Sequence, residues 1–464
     1  LPIWPTLKNS YYLLLVRPTV YSLNQRSCET SVMGSLRPTD LDVYDAIQLS
    51  LTCLSGVDRK LIIPGQKFQE VLKGTGSVAF EGSDVETDSY IFDARSSVGT
   101  VRVDPESLRP LPWLTPDGYQ VGGALCEVVS PSGKPENEVS PRSVALKQVK
   151  RLKEKFGLTI KSAIEAEFMI YEMDGTTPFN NKTQEAYGRF DNMAGKEDNL
   201  LDTCYRLEKA GLQLETFMSE FAAGQFEITF RPEEGISSAD SIMIMKDGLR
   251  VCLGKHNLIP TFMACPNEHG HANGFHLNHS LWSVNNANEF LDLNDAIQLS
   301  DIARHWIAGL VLHAPALTAL FCPTLNCYIR LIDEMTPKTA TWAEENRSCF
   351  LRLKTERSNI YLENRLPSSA ANPYLALAGT IAAGIDGLER KLACPPQNDQ
   401  TAPKIPKTLE DAAAALENDH VLTKALGEDF VSVFLGITKK SLNEKVDKKL
   451  EDLSNQRRIY FQHI

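Results

Sequence analysis

The sequence predicts an α+β protein, and two patterns carry that expectation. From Asp42 to about Glu127 the text is a series of short β-like runs broken by Gly and Pro. From Ser140 onward, strands with period-two alternation take turns with helical stripes of period 3.6, and the chain closes on lysine-rich helices. Residues 1–40, rich in Pro, Ser, Asn and Thr, read as an extension with weak structure of its own. We therefore expect a small sheet-rich domain over 41–130 and a larger α+β domain over 131–464.

In the small domain the strand candidates are Ala46 to Leu54, Leu61 to Pro64, Ser89 to Asp93, Thr100 to Val103 and Val121 to Val129. A strong helix follows: Ser140 and Pro141 make an N-cap and first-turn pair, Val144, Val149, Leu152 and Phe156 supply the stripe, and Gly157 stops it. Then come a strand over 159–171, a helix near 197–210, strands 213–218 and 225–231, a helix over 239–255, strands 259–264 and 275–282, a helix over 299–321, and strands 349–354 and 359–366. Pro373 opens a small-residue helix through Leu392, and helices over 407–437 and 440–462 end the chain.

At 464 residues the chain exceeds one average domain and has ample material for a core. A net charge of -11 argues against binding a phosphate backbone, so no nucleic-acid partner is expected. Ten cysteines are scattered without a C-x-x-C pair, which fits reduced thiols in a cytoplasmic enzyme better than a disulfide framework or a zinc site. The apolar run Tyr11 to Val16 is far too short to span a membrane, and none is expected to be involved. Because the chain starts at Leu1 rather than Met, we expect a leader or extension to be missing from it, and nothing in it reads as a signal peptide.

The chemistry begins at Glu165 and Glu167. On a strand, residues i and i+2 share a face, so both carboxylates point one way while Ile164, Ala166 and Phe168 point the other. Like charges side by side repel unless they share a cation. Three further elements repeat the logic: Glu220 with Gln225 and Glu227 beyond a turn at Gly224; His276, Asn278 and Ser280 alternating against Phe275, Leu277 and Leu281; and Glu363 with Arg365. Singly, each is also what a solvated strand face presents. Together, five carboxylates and one imidazole make a hard-cation site. Arg330, Arg347, Arg352 and Arg365 add guanidinium forks suited to a polyphosphate and an acidic substrate, although surface ion pairing explains many arginines.

The order E-x-E, then E with A-G-Q-x-E, then G-x-H ending in S-L-W, then N-R-S with a second Arg five residues on, then E-x-R-x-P with A-N-P-Y-L-A-L-A, resembles the glutamine synthetase superfamily, class I-like, from about Asp42 to the C-terminus. The stretches from Phe230 to Asp240 and from Leu409 to Glu428 look most like its lengsin branch, whose vertebrate members have lost most acidic ligands and are regarded as inactive; this chain keeps them. The resemblance implies a β-grasp-like N-terminal domain and a catalytic domain built on a curved antiparallel sheet packed with helices. It implies stacked rings, a dodecamer of two hexamers, in which the small domain of one subunit closes its neighbour's site.

Carried over, the pattern makes Glu167, Glu220 and Glu227 ligands of one Mg²⁺ or Mn²⁺ and Glu165, His276 and Glu363 ligands of a second. Arg347, Arg352, Ser280 and Asn278 would bind ATP; Arg330, Arg365, Asn273 and Gly274 would bind glutamate; Glu81, Glu334 and Arg347 would serve catalysis. The implied reaction is ATP-driven formation of γ-glutamyl phosphate followed by attack of ammonia or an amine. A catalytically silent, lengsin-like structural or chaperone-associated oligomer is the other reading.

Three departures stand out. The family's F-D-G-S-S segment is Phe80-Glu81-Gly82-Ser83-Asp84 here, which reshapes the nucleophile pocket. Asn273-Gly274 lies closer to His276 than the family's amino-group loop, and strict alignment puts His271-Ala272 there. The family's second histidine aligns with Asn278, with His279 on the opposite face, and the loop from Leu331 to Pro337 around Glu334 is one residue short. Residues Ser441 to Ile464 would either bridge rings or pack on their own subunit.

Overall fold

The structure is a computed structural model that describes residues 43–81, 98–116, 118–129, 139–179, 188, 197–267, 271–356, 359–399, 401–446 and 452–464. The extension over 1–40 and the expected strand from Ser89 to Asp93 lie outside the described residues.

Two sheets organise the chain. In the first, β1 (Ala46–Thr52) pairs antiparallel with β2 (Asp58–Pro64). The helix α1 (Gly65–Leu72) leads from there to β3 (Ala79–Glu81), β4 (Val98–Val103), β5 (Arg109–Pro110) and β6 (Val121–Val129). The order is β2-β1-β6-β4-β3, with β1 and β6 parallel and β5 also on β6. No helix is expected here from the sequence: α1 spans two turns with Phe68 its one fully buried large side chain, too little to establish a period.

The second sheet has the order β13-β14-β15-β12-β7-β9-β8, and two short strands, β10 and β11, add to β7. Its members are β7 (Leu158–Glu172), β8 (Leu214–Ser219), β9 (Gln225–Phe230), β10 (Glu233–Glu234), β11 (Leu258–Thr261), β12 (Phe275–Ser283), β13 (Trp342–Glu344), β14 (Leu351–Glu356) and β15 (Asn359–Asn364). Long β7 is the spine. Its even positions Ile160, Ile164, Ala166 and Phe168 are fully buried, whereas Lys161, Ala163, Glu165 and Glu167 stay partly open. Burial of each large apolar side chain contributes about 1.5–3 kcal/mol, which pins the register and thereby fixes which face carries the glutamates.

Helices cover the apolar face: α2 (Pro141–Phe156), α3 (Glu197–Lys209), α4 (Ser237–Gly254), α5 (Asp301–Phe321), α6 (Cys327–Arg330) and α7 (Pro373–Arg390). The last group is α8 (Leu409–Asn418), α9 (His420–Leu426), α10 (Glu428–Val446) and α11 (Leu453–Tyr460). The centre of the helical layer is the α5–α7 crossing, where the backbones come so close that a Cβ on Gly309 would sit 2.2 Å from the Ala383 carbonyl oxygen. A polar seam joins the two sheets' territories. Asp247 of α4 accepts from Gln48 at 3.0 Å and Trp113 at 3.2 Å, and Arg142 of α2 donates both to Asp104, just after β4, at 2.6 Å and to Asp240 at 2.9 Å.

The helix expected over 407–437 is instead split. Asp419 caps α9 by accepting from the Leu422 amide at 3.0 Å, and Gly427, at a φ of 116°, breaks the path into α10. Within the chain the final helix α11 leads into a packed end: Phe461 and Ile464 are buried, and the Phe461 ring lies 5.0 Å from that of Tyr171. Among the described residues no helix is long and apolar enough to cross a membrane, and the described cysteines are free thiols.

Candidate active site

Register alone brings the predicted ligands together. Across β7–β12 Glu165 stands opposite His276; across β7–β9 Glu167 stands opposite Glu227; across β12–β15 Asn278 stands opposite Glu363; and across β14–β15 Glu363 stands opposite Arg352. Glu220 follows β8, its amide bonded to the Gln225 carbonyl at 2.9 Å across the turn. His276 Nδ1 is 3.2 Å from Glu165 and 3.5 Å from Glu363. Among the described residues these three form the one group whose ligand atoms all lie within 4.8 Å of one another. Glu167, Glu220 and Glu227 share the same cleft without converging so tightly.

The acidic face is electrostatically overcrowded. Burial, then the charges of Glu165, Glu167, Glu220 and Glu363, push Glu227 up to about 9. Burial and Glu167 push Glu220 up to about 7, against the pull of Arg347. Glu165 goes the other way: burial opposes its ionisation, but His276 and Asn278 hydrogen-bond to it and hold it at about 2. A divalent cation would relieve this crowding, since hard oxygen donors with one imidazole are what Mg²⁺ and Mn²⁺ accept. Two further observations fit a ligand here. The Oδ1 of Asn278 is buried without a hydrogen-bond partner. A Cβ added to Gly274 would stand 2.9 Å from His276 Nε2, 3.1 Å from Arg330 Nη2 and 3.2 Å from Glu167 Oε1, so the absent side chain keeps open a cradle between three predicted groups.

The arginines divide. Arg352 and Arg365 both grip Glu363, the former at 3.1 Å. Arg330 is buried and donates to the carbonyls of Leu366 and Arg365 at 2.9 and 3.0 Å, which holds its Nη2 beside Gly274. Arg347 is exposed and faces Glu220. Asn273 turns its side chain inward, donating to Met263 at 2.9 Å and accepting from Gln225 at 3.1 Å, so it is the Gly274 amide, bonded to Glu167 at 2.8 Å, that faces the cleft. His279 lies on the far face as expected, taking a hydrogen bond from Trp306 at 3.0 Å, and burial lowers it to about 4. Glu334 is exposed on its loop. Glu81 ends β3 in the small sheet; its side chain lies outside the described residues.

Beyond Glu165 the cleft widens into a cavity of about 400 Å³, lined among others by Asn278, Ser280, Trp282, Phe230, Lys354 and Tyr361. Aromatic faces with lysines at one end of an acidic site suit a base and its phosphates. Lys161 caps the Trp282 ring at 3.9 Å. Lys354, Phe230 and Tyr361 are lining residues outside the set that the sequence pattern singles out. The signal for Lys354 was present, since it is two residues beyond Arg352 on the same strand and therefore on the same face.

A fold of this topology with an acidic, arginine-flanked cleft at the centre of its large sheet defines a class. The chain belongs to the glutamine synthetase family: the model of the glutamine synthetase catalytic domain matches residues 138–456. It is 32% identical over 427 residues to lengsin from Canis lupus familiaris, covering 86% of this chain and 72% of that protein. It is equally 32% identical over 408 residues to the glutamine synthetase of Thermus thermophilus, covering 84% of this chain and 90% of the relative. Among solved structures it is similar to apo GmaS without ligand (TM-score 0.79, 28% identity, 87% of this chain and 94% of that one). It is likewise similar to a GmaS/ADP complex (TM-score 0.77, 28% identity, 90% and 96%).

Proposed function

We propose that the protein is an ATP-dependent carboxylate–amine ligase of glutamine synthetase type, which activates glutamate as γ-glutamyl phosphate for attack by ammonia or an amine. The observation that carries this reading is the convergence of Glu165, His276 and Glu363 at the inner end of the aromatic and lysine-lined cavity. A structure in this family solved with ADP supports the nucleotide half of it.

In this reading Glu165, His276 and Glu363 would hold one Mg²⁺ or Mn²⁺ and Glu167, Glu220 and Glu227 the other. Bound there, the ions supply charge neutralisation of the phosphoryl oxygens. The remaining work belongs to side chains. Trp282, Phe230 and Tyr361 take the base, while Lys354 and Ser280 line the path of the phosphates. Arg330, beside Gly274, orients the glutamate. Arg347 and Arg352 flank the transferring group, so acceleration comes from positioning and charge stabilisation. A glutamate γ-carboxylate oxygen attacks the terminal phosphorus and ADP leaves; the amine nitrogen attacks the acyl carbon and phosphate leaves. The amine's proton passes to a carboxylate, the task the resemblance gives to Glu81 of an adjacent copy in the ring.

Phosphate release from ATP with Mn²⁺ or Mg²⁺, glutamate, and a panel of ammonia, ethylamine, ethanolamine and polyamines tests the proposal. Release above a Glu363→Ala control with at least one amine is the expected result. Release no greater than that control with every amine would leave the silent, lengsin-like oligomer as the better reading. Sedimentation of the intact protein tests the dodecamer: a species near twelve subunits is expected, and a monomer would exclude ring-shared sites.

A further inference from the structure

We infer that the C-terminal segment Leu453–Ile464 is a positioning strap for the glutamate side of the cleft, acting chiefly through Gln456. The inference rests on the proposed function only in calling that side the glutamate side; the strap itself is a matter of contacts.

Gln456 is 7% exposed, and its Oε1 accepts from Asn326 Nδ2 at 3.0 Å. Asn326 is fully buried and also brackets Cys265, accepting from its amide at 2.6 Å and donating to its carbonyl at 2.9 Å. Each partner of Asn326 leads to the cleft by a short route. Asn326 immediately precedes α6, whose last residue is Arg330. Cys265 is one residue from Ala264, whose carbonyl accepts from the Asn273 amide at 2.7 Å and so sets the position of Gly274.

Two more anchors lie on the same loop. The Arg457 guanidinium donates to the carbonyls of Pro266 and Gly175 and lies 5.2 Å over the ring of Tyr171, whose hydroxyl bonds Asn267 at 2.7 Å. The Ile464 carbonyl accepts from the Phe262 amide at 3.2 Å. The strap thus touches the loop at 262, 266 and, through Asn326, 265, while none of these contacts involves the nucleotide-side cavity. Removing the Gln456 oxygen leaves a buried Asn326 donor without its acceptor, and the asparagine then has reason to rotate off Cys265.

The test is hydrogen exchange on the full chain, comparing wild type with Gln456→Leu, which keeps the bulk and loses the acceptor, and Gln456→Glu, which keeps the acceptor. Amides of 262–267, 271–274 and 327–330 are expected to exchange about fivefold faster in Gln456→Leu, the change that follows loss of one buried hydrogen bond, and to return toward wild type in Gln456→Glu. Strands β14 and β15 should not change. Where turnover is present, KM for glutamate rises about fivefold while KM for ATP stays constant. Should Gln456→Leu fail to fold, Arg457→Gln, at a half-exposed position, is read in the same way. Unchanged exchange over 262–274, or equal acceleration in β14 and β15, would overturn the strap. Absence of turnover in the wild type would instead count against the proposed ligase, and exchange alone would then decide the strap.

Discussion

Replacing Gly274 by alanine puts a methyl group at the point where the predicted metal and substrate groups converge. The new carbon would lie 2.9 Å from His276 Nε2, 3.1 Å from Arg330 Nη2 and 3.2 Å from Glu167 Oε1. Normal van der Waals separations begin near about 3.5 Å, so each group must retreat by several tenths of an ångström. His276 is held by Glu165 and Glu363, and Arg330 by two carbonyls, so they give only by disturbing their partners. Gly274 is not among the residues with positive φ, so alanine strains no backbone there and the effect falls on the site. A displaced ligand set of this kind costs about 10- to 100-fold in metal affinity, or about 1.4–2.7 kcal/mol. Mn²⁺ titration by calorimetry measures it. The control is Gly436→Ala in α10, where a Cβ meets nothing within 4 Å: it should leave Mn²⁺ affinity intact and add about 0.5–1 kcal/mol of stability. Equal Mn²⁺ affinity in Gly274→Ala and wild type would refute the cradle.

Glu363 is 1% exposed between Arg352, Arg365 and His276, so Glu363→Ala strands buried positive charge and should cost about 3–5 kcal/mol in a denaturant unfolding curve; a loss below about 1 kcal/mol would contradict the buried-pair account. His313, buried between Asp386 at 3.0 Å and Asp419 at 2.6 Å, resists protonation through burial, but the two carboxylates prevail and raise its pKa above 6.5. Its contribution to stability is therefore complete below pH 6.5 and is lost as pH rises through the folded value, so wild type should lose more midpoint than His313→Asn between pH 6.5 and 9, and parallel profiles would contradict this. Lys354→Met should weaken binding of a non-hydrolysable ATP analogue about tenfold by calorimetry, as expected when a charge-assisted phosphate contact is lost; unchanged binding would remove the cavity from the nucleotide's path.

The large sheet is legible because the core side of β7 is mostly apolar: the alternation of Ile164, Ala166 and Phe168 leaves Glu165 and Glu167 one possible face. Pairing partners were less accessible, since the opposition of His276 to Glu165 and of Arg352 to Glu363 depends on long-range register that no local pattern encodes. Asn273 shows the limit most clearly. Its spacing from His276 marks a loop beside the site, but whether the amide faces the cleft or the core depends on Gln225 and Met263, which approach from other elements. The single helix expected over 407–437 failed for a related reason: Asp419 fits a helix by composition, yet it serves as the cap of α9 and the partner of His313. Lys354 shares the Arg352 face of β14 by strand alternation, but what that face meets is set only when Trp282, Phe230 and Tyr361 gather around the same cavity.

In the proposed ligase an activated γ-glutamyl group forms at the Glu165–His276–Glu363 end of the cleft. Hydroxylamine in place of the amine traps that group as γ-glutamyl hydroxamate, which its coloured iron complex reports directly. With glutamate, ATP and Mn²⁺, hydroxamate and ADP should form in equal amounts in the wild type and neither should form in Glu363→Ala. ADP formed without hydroxamate, or at a rate indifferent to glutamate, would contradict the proposed ligase.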